Sequence, residues 1–277
     1  MGKSVGFIGN FKGKLGNAVG YKVSQSNSGT NQGVRVYQPN IKNPKSAAQA
    51  EQRAKYAPIF ATYRALKMII DRGNESKPYG NASRIAWLRK AFRSTEIAWF
   101  KRGELVNYPI GCQLTHGTLR SIPFGINGDS IQINAPSVEQ GQLVPTVGAL
   151  SDILMNNYPF LKLGDQVTFV TSLVPDGALQ FDVLSIIIDD ENPEFIQGFT
   201  CSRDSLIMQT NDGIISAAII LSREGAHGEH LRSTSQLTIN VAQLNEYPYR
   251  PQDKQDAIAS YMANDSANAD WAEESIQ

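Results

Sequence analysis

Near Tyr108-Pro109 the spacing of apolar residues changes from one period to another, and no single layer of structure satisfies both. Upstream, Tyr56, Phe60, Tyr63, Leu66 and Ile70 recur at intervals of four and three, which is the apolar stripe of an amphipathic helix. Asn43 can cap that helix and Pro44 can occupy its first position. Pro58 interrupts the pattern and predicts a kink or two abutting helices. After a break between Gly73 and Gly80, a second helix is expected over residues 81–101. Ile85, Leu88, Phe92 and Trp99 would face its core, with Arg84, Arg89, Arg93 and Lys101 outward. Ahead of the helices, residues 18–23 and 33–38 alternate apolar and polar, as the arms of a β-hairpin do, around a polar tip at 24–32.

Downstream, short apolar runs alternate with turn signals such as Asn127-Gly128, Pro175-Asp-Gly177 and Asn211-Asp-Gly213. Strands are expected over 130–135, 166–173, 180–188, 198–201, 213–222 and 236–241, with a helix over 147–158 crossing one end. A short amphipathic helix at 252–263 precedes an acidic tail containing Asp265, Asp270, Glu273 and Glu274. The expected fold is α+β: an N-terminal β-hairpin with two main helices, followed by an antiparallel β-sandwich or barrel. The expected division is a basic region 1–110, a β domain 111–250 and an acidic, partly helical tail 251–277, jointed near 103–112. The hairpin tip and the segment after Pro251 are longer than a compact monomer needs, and are expected to reach neighbouring subunits.

Charge follows the same division. The chain is neutral overall, yet residues 1–110 carry 19 Lys+Arg against 5 Asp+Glu, and residues 111–277 carry 7 against 21. Such asymmetry suits contact with a polyanion, or subunits that meet basic surface to acidic surface. Lys12 and Lys14, in a Gly-rich opening, join Arg84, Arg89, Arg93 and Lys101 as candidate phosphate contacts. Tyr21, Tyr37, Tyr56, Tyr63, Tyr79, Trp87 and Trp99 interleave with the basic residues, although their spacing suits packing better than base stacking.

Motifs for chemistry are sparse. The Gly-rich opening lacks the Gly-Lys-Ser/Thr ending of a nucleotide loop, and no Gly-x-Ser-x-Gly elbow occurs. His227-Gly-Glu-His230 has metal-like spacing but reads as a hairpin tip, His116 has no obvious partner, and Asp189-Asp190-Glu191 with Glu194 reads as a charged turn. Cys112 and Cys201 read as small buried apolar residues. No catalytic residue, metal or cofactor is expected. No apolar run approaches the roughly 20 residues of a membrane span, and Met1-Gly-Lys-Ser-Val lacks a signal-peptide pattern, so neither secretion nor a membrane partner is expected.

Five segments together carry a resemblance: Gly13-Lys-Leu-Gly-Asn-Ala-Val-Gly-Tyr21, Val34-Arg-Val-Tyr, Asn43-Pro-Lys-Ser-Ala-Ala-Gln-Ala-Glu-Gln-Arg53, Gly164-Asp-Gln-Val167, and Ser222-Arg223 followed by Leu231-Arg-Ser-Thr-Ser235. In these the chain resembles a family of uncharacterised proteins from Bacteroidota genomes and the phages that infect them. The resemblance implies a phage or prophage product and implies no activity, cofactor or catalytic residue. The expectation is therefore a non-enzymatic virion structural protein, a capsid or capsid-associated subunit, located in the virion or the host cytoplasm. It would be a homo-oligomer or part of a virion assembly and could touch nucleic acid without reading its sequence. The alternative is a bacterial β-sandwich module for a glycan or protein ligand.

Overall fold

The computed structural model describes residues 13–15, 18–22, 32–36, 46–94, 96–142, 144–173, 179–209, 213–225, 229–240 and 250–267, the first three stretches by backbone alone. The chain divides into two compact units, residues 1–45 and 46–277. In the first, β1 (Gly13–Leu15), β2 (Ala18–Lys22) and β3 (Gln32–Val36) form an antiparallel sheet in that order. Ala18 pairs with Val36 and Lys22 with Gln32, so the expected hairpin is present with a third strand added. Residues 24–31 of its tip lie outside the described residues.

The second unit opens with α1 (Ala47–Ala65), α2 (Lys67–Ile70) and α3 (Asn81–Ala91). Asn43 and Pro44 lie outside the described residues. Ser46 caps α1 instead, its hydroxyl accepting the Gln49 N–H at 3.3 Å. The helix runs through Pro58 without ending. One lost backbone bond is offset because Ala54, Pro58, Ile59, Thr62 and Tyr63 are all buried along that face. The break comes instead at Leu66, whose φ of −105° and ψ of 23° leave the helical region.

The second helix departs from expectation in length and in the face it buries. It ends at Ala91, and Ile97, Ala98, Trp99 and Phe100 follow as four consecutive buried residues. A helix on the side of a core cannot bury four in a row, whereas an extended segment enclosed on both faces can. Ser94 anchors the turn into this segment by donating its hydroxyl to the Gly111 carbonyl. On α3 the buried face is Ser83, Trp87 and Ala91, at intervals of four, while Ile85 is exposed.

The strands then follow as β4 (Gln113–Thr115), β5 (Phe124–Asn127) and β6 (Ser130–Asn134). After α4 (Val147–Asn157) come β7 (Gln166–Leu173), β8 (Gln180–Ile187), β9 (Phe199–Ser202), β10 (Ser205–Gln209) and β11 (Ser216–Glu224). β12 (His230–Arg232), β13 (Ser235–Gln236), β14 (Thr238–Ile239) and α5 (Pro251–Ala267) complete the unit. One sheet runs β12-β11-β7-β8, with β14 also on β11; a second runs β5-β6-β10-β9; β13 pairs with β4. All these strand pairs are antiparallel, and neither sheet closes into a barrel.

The sheet containing β11 is a septum between two cores. Ala217, Ile219 and Leu221 join Val167 and Phe169 in a cluster with Ile131, Ile133 and Leu206 of the other sheet and Leu150 and Leu154 of α4. The intervening Ala218, Ile220 and Val170 join Ile59, Tyr63, Leu66, Ile70 and Trp87 of the helical layer. Burial on both faces explains why Ser216-Ala-Ala-Ile-Ile-Leu221 is continuously buried and does not alternate. The helical layer shares this cluster with Ile97, Trp99, Ile110 and Cys112, and the joint expected at 103–112 falls inside the second unit.

α5 packs on the same layer. Ala257 is fully buried in its core, Lys254 reaches Glu51 of α1 at 3.1 Å, and Ser260 accepts the Arg102 N–H at 3.0 Å. The start of the segment expected to extend toward neighbours is thus part of this unit's own packing. Residues 268–277 lie outside the described residues. Among the described residues no helix is long and apolar enough to cross a membrane.

Candidate polyanion-binding surface

The turn at Leu66 rotates Lys67 away from the path of α1, and the chain then doubles back through Asp71 to start α3. This brings Tyr63, Arg64, Lys67, Asp71, Gly80, Asn81 and Arg84 around one open cleft of about 420 Å³. Gly80 precedes α3 with a φ of +81°, a region that a side chain disfavours, and no side chain caps the helix there. The start of α3, Gly80 and Asn81, thus lines the cleft along with three cations. The one acid, Asp71, accepts the Tyr63 hydroxyl at 3.0 Å. Burial, then the hydrogen bond to Asp71, raises the Tyr63 hydroxyl above its ordinary pKa and keeps it a donor.

Arg84 is held rather than free. Its guanidinium lies 5.8 Å from the centre of the Tyr63 ring and donates to Asn81 Oδ1 at 2.5 Å, while its Nε is buried with no hydrogen-bond partner among the described residues. Arg64 and Lys67 are exposed, and neither has an ion-pair partner among the described residues. A held guanidinium beside two exposed cations suits a phosphate or carboxylate group.

The sequence-derived candidates are only partly gathered here. Arg84 lines the cleft; Arg89 is exposed on α3; Arg93 is exposed just past its end. Lys101 is exposed on the extended segment and not on a helix. Lys14 lies in β1, described by its backbone alone, and Lys12 lies outside the described residues. Arg64 and Lys67 carry no local sequence signal that sets them apart from the other basic residues; they meet Arg84 because the chain reverses between α2 and α3. Among the interleaved aromatics, Tyr63, Trp87 and Trp99 are buried in the helical core, whereas Tyr56 and Tyr79 are about half exposed, at 52% and 48%. Tyr21 is described by its backbone alone, and Tyr37 lies outside the described residues.

Other polar clusters are fasteners. The Glu75 carboxylate accepts the Thr118 N–H and hydroxyl at 2.9 Å each and the Arg232 N–H at 3.0 Å. Burial opposes ionisation of Glu75, but these donors outweigh it and hold the carboxyl below its ordinary range. His116 sits beside this knot, with Nδ1 3.3 Å from Gln113 Nε2. His227 is outside the described residues, and His230 packs its ring 5.5 Å from Tyr79. No trio of His, Cys, Asp or Glu among the described residues could hold a metal ion. Both cysteines are free and buried; complete burial pushes the Cys112 thiol up to about 12, and burial also raises Cys201.

Comparison with protein families, curated proteins and solved structures gave no match to this chain.

Proposed function

We propose that this chain is a non-enzymatic structural protein of a phage particle, a capsid or capsid-associated subunit, whose basic helical layer meets packaged nucleic acid or an acidic neighbouring surface. The observation that carries the reading is the convergence of Arg64, Lys67 and Arg84 on one open cleft, with Arg89 and Arg93 exposed on or just past the same α3. Residues 46–110 hold 12 Lys+Arg against 5 Asp+Glu, and of those acids Glu51 is already paired with Lys55 and Lys254, while Glu75 is spent on the Thr118 knot. Arg64, Lys67, Arg89 and Arg93 are exposed and have no ion-pair partner among the described residues. Contacts of this kind bind phosphates without reading bases. The acidic balance of residues 111–277 supplies the opposite sign for contact between copies. The resemblance to uncharacterised proteins of Bacteroidota genomes and of the phages that infect them supports the particle as the setting.

Light scattering and electron microscopy of the purified chain test this reading. Large regular assemblies, formed by the chain alone or with nucleic acid, are expected. A monomer at all concentrations, with or without nucleic acid, would overturn it.

A further inference from the structure

We propose that the free edge of β8 is a docking site for an extended, cationic segment of a partner polypeptide, which would add a strand to the central sheet. In the order β12-β11-β7-β8, β8 is terminal, and all eight of its residues pair with β7 from Gln166↔Ile187 to Leu173↔Gln180 without a bulge. The Ile188 N–H bonds to the Asp165 carbonyl at 2.7 Å, and the Ile188 carbonyl accepts from the Gly164 N–H at 2.8 Å. Backbone groups alternate in direction along an antiparallel strand, so those of Phe181, Val183, Ser185 and Ile187 point away from β7. Among the described residues no strand receives them.

Natural edge strands are usually blunted by a lysine, a proline or a bulge. β8 has none of these. It exposes apolar surface instead: Val183 is 49% and Ile187 60% exposed, and Phe195 at 67% stands across a groove of about 240 Å³ lined by Leu184 to Ile187. Such a groove offers pockets for alternate side chains next to main-chain hydrogen bonds, the two requirements of strand addition.

Charge selects the occupant. Asp182, Asp189, Asp190, Glu191 and Glu194 are all exposed on or beside β8, none has an ion-pair partner among the described residues, and no Lys or Arg occurs from 163 to 202. Two copies of β8 laid edge to edge would bring these acids together, which like-charge repulsion opposes. An extended segment with lysine or arginine flanking apolar residues satisfies the edge, the groove and the rim together.

The probe is a labelled ten-residue peptide alternating valine and lysine, titrated into the full chain at low salt and followed by fluorescence anisotropy. Saturable binding is expected, weakening with salt. Val183→Pro removes only an outward N–H, and Ile187→Lys places a like charge on an exposed site; each is expected to weaken binding by roughly tenfold or more while leaving the thermal transition in place. The same peptide with glutamate for lysine is expected not to bind. The proposal is overturned if the lysine peptide fails to bind, if the glutamate peptide binds equally, or if Ile187→Lys leaves affinity unchanged. Dimers of the chain that Ile187→Lys dissociates, in the absence of peptide binding, would overturn it in favour of pairing between two copies.

Discussion

Arg223 grips Asp165 with both arms of its guanidinium, Nε to Oδ1 at 2.6 Å and Nη2 to Oδ2 at 2.7 Å, and the same Nη2 donates to the Phe160 carbonyl at 2.8 Å. The Asp165 side chain is 1% exposed. It also accepts the Lys162 N–H, so the pair locks the entry to β7 against β11. Donating to the Asp165 carboxylate raises Arg223 above its ordinary pKa, keeping the cation charged. Removing one partner of a buried, fully hydrogen-bonded pair typically costs about 3–5 kcal/mol, because the other charge is left buried alone. Asp165→Asn should therefore lower stability by about that amount in urea unfolding, and Arg223→Met with Asp165→Asn should recover part of the loss. Equal stability of Asp165→Asn and the native chain would contradict this.

Glu75, past the end of α2, accepts two hydrogen bonds from Thr118 and one from Arg232 of β12, and its pKa is depressed in the folded chain. A carboxyl of this kind contributes stability above its unfolded value near 4.3 and loses it as pH falls through the folded value. Glu75→Gln should cost about 1.5–3 kcal/mol at neutral pH and flatten the decline of stability below about pH 4.5. Unfolding midpoints across pH 3–7 for both chains measure it. Gly117 is part of the same knot: a Cβ there would collide with the Arg232 carbonyl, so Gly117→Ala should destabilise as well.

The motif segments that carry the resemblance explain themselves structurally at several of these positions. Ser233 and Ser235 hold the β11 backbone through the Leu221 N–H and the Ile219 carbonyl, and Arg232 donates to Ser222. These are fold-defining contacts, and they are no guide to a binding site.

Thiol chemistry gives an independent check on the cores. With Cys112 pushed up to about 12, under about one thiol in a thousand is ionised at pH 8. Both cysteines should resist a disulfide reagent at pH 8 in the native chain and react stoichiometrically in denaturant. Because the folded Cys112 thiol ionises far above the unfolded value near 8.5, its contribution to stability is present below that value and falls away as pH rises from there toward 12.

Truncation before Pro251 should weaken the fold itself. The loss uncovers the helical core around the site of Ala257 and removes Lys254, with its ion pair to Glu51 and its ammonium 5.2 Å from the centre of the Trp99 ring. A fall in the thermal midpoint of several degrees is expected from a loss of about 2–4 kcal/mol. An unchanged midpoint would mean that α5 is dispensable.

Legibility in the sequence followed the strength of local pattern. β7 was bounded at both ends because its eight residues lie between Gly164-Asp165 and a turn-rich stretch, and α4 was evident from its run of helix formers after Pro145-Thr146. β4, β5, β10 and β12 span three to five residues, too few for a period to emerge. The face of α3 is not legible from apolar spacing, because Ile85 lies toward solvent and Ser83 points inward, donating to the Ile70 carbonyl. Fixing that face required the neighbouring helix. The cleft was half legible: basic composition was plain, but the meeting of Arg64, Lys67 and Arg84 depends on the reversal between α2 and α3.

Binding of a labelled DNA single strand across a series of salt concentrations, for the native chain and for Arg64→Gln, Lys67→Gln, Arg89→Gln, Arg93→Gln combined, bears on the basic layer more directly than any other measurement. Each neutralised phosphate on a single strand contributes about −0.7 to the slope of log affinity against log salt. The native chain should bind different sequences alike, with a steep negative slope. The variant should lose up to about four contacts' worth of that slope while keeping its thermal midpoint, since exposed charges contribute little to folding. No measurable affinity at low salt, or a variant slope equal to the native one, would contradict the assignment of the helical layer to nucleic acid.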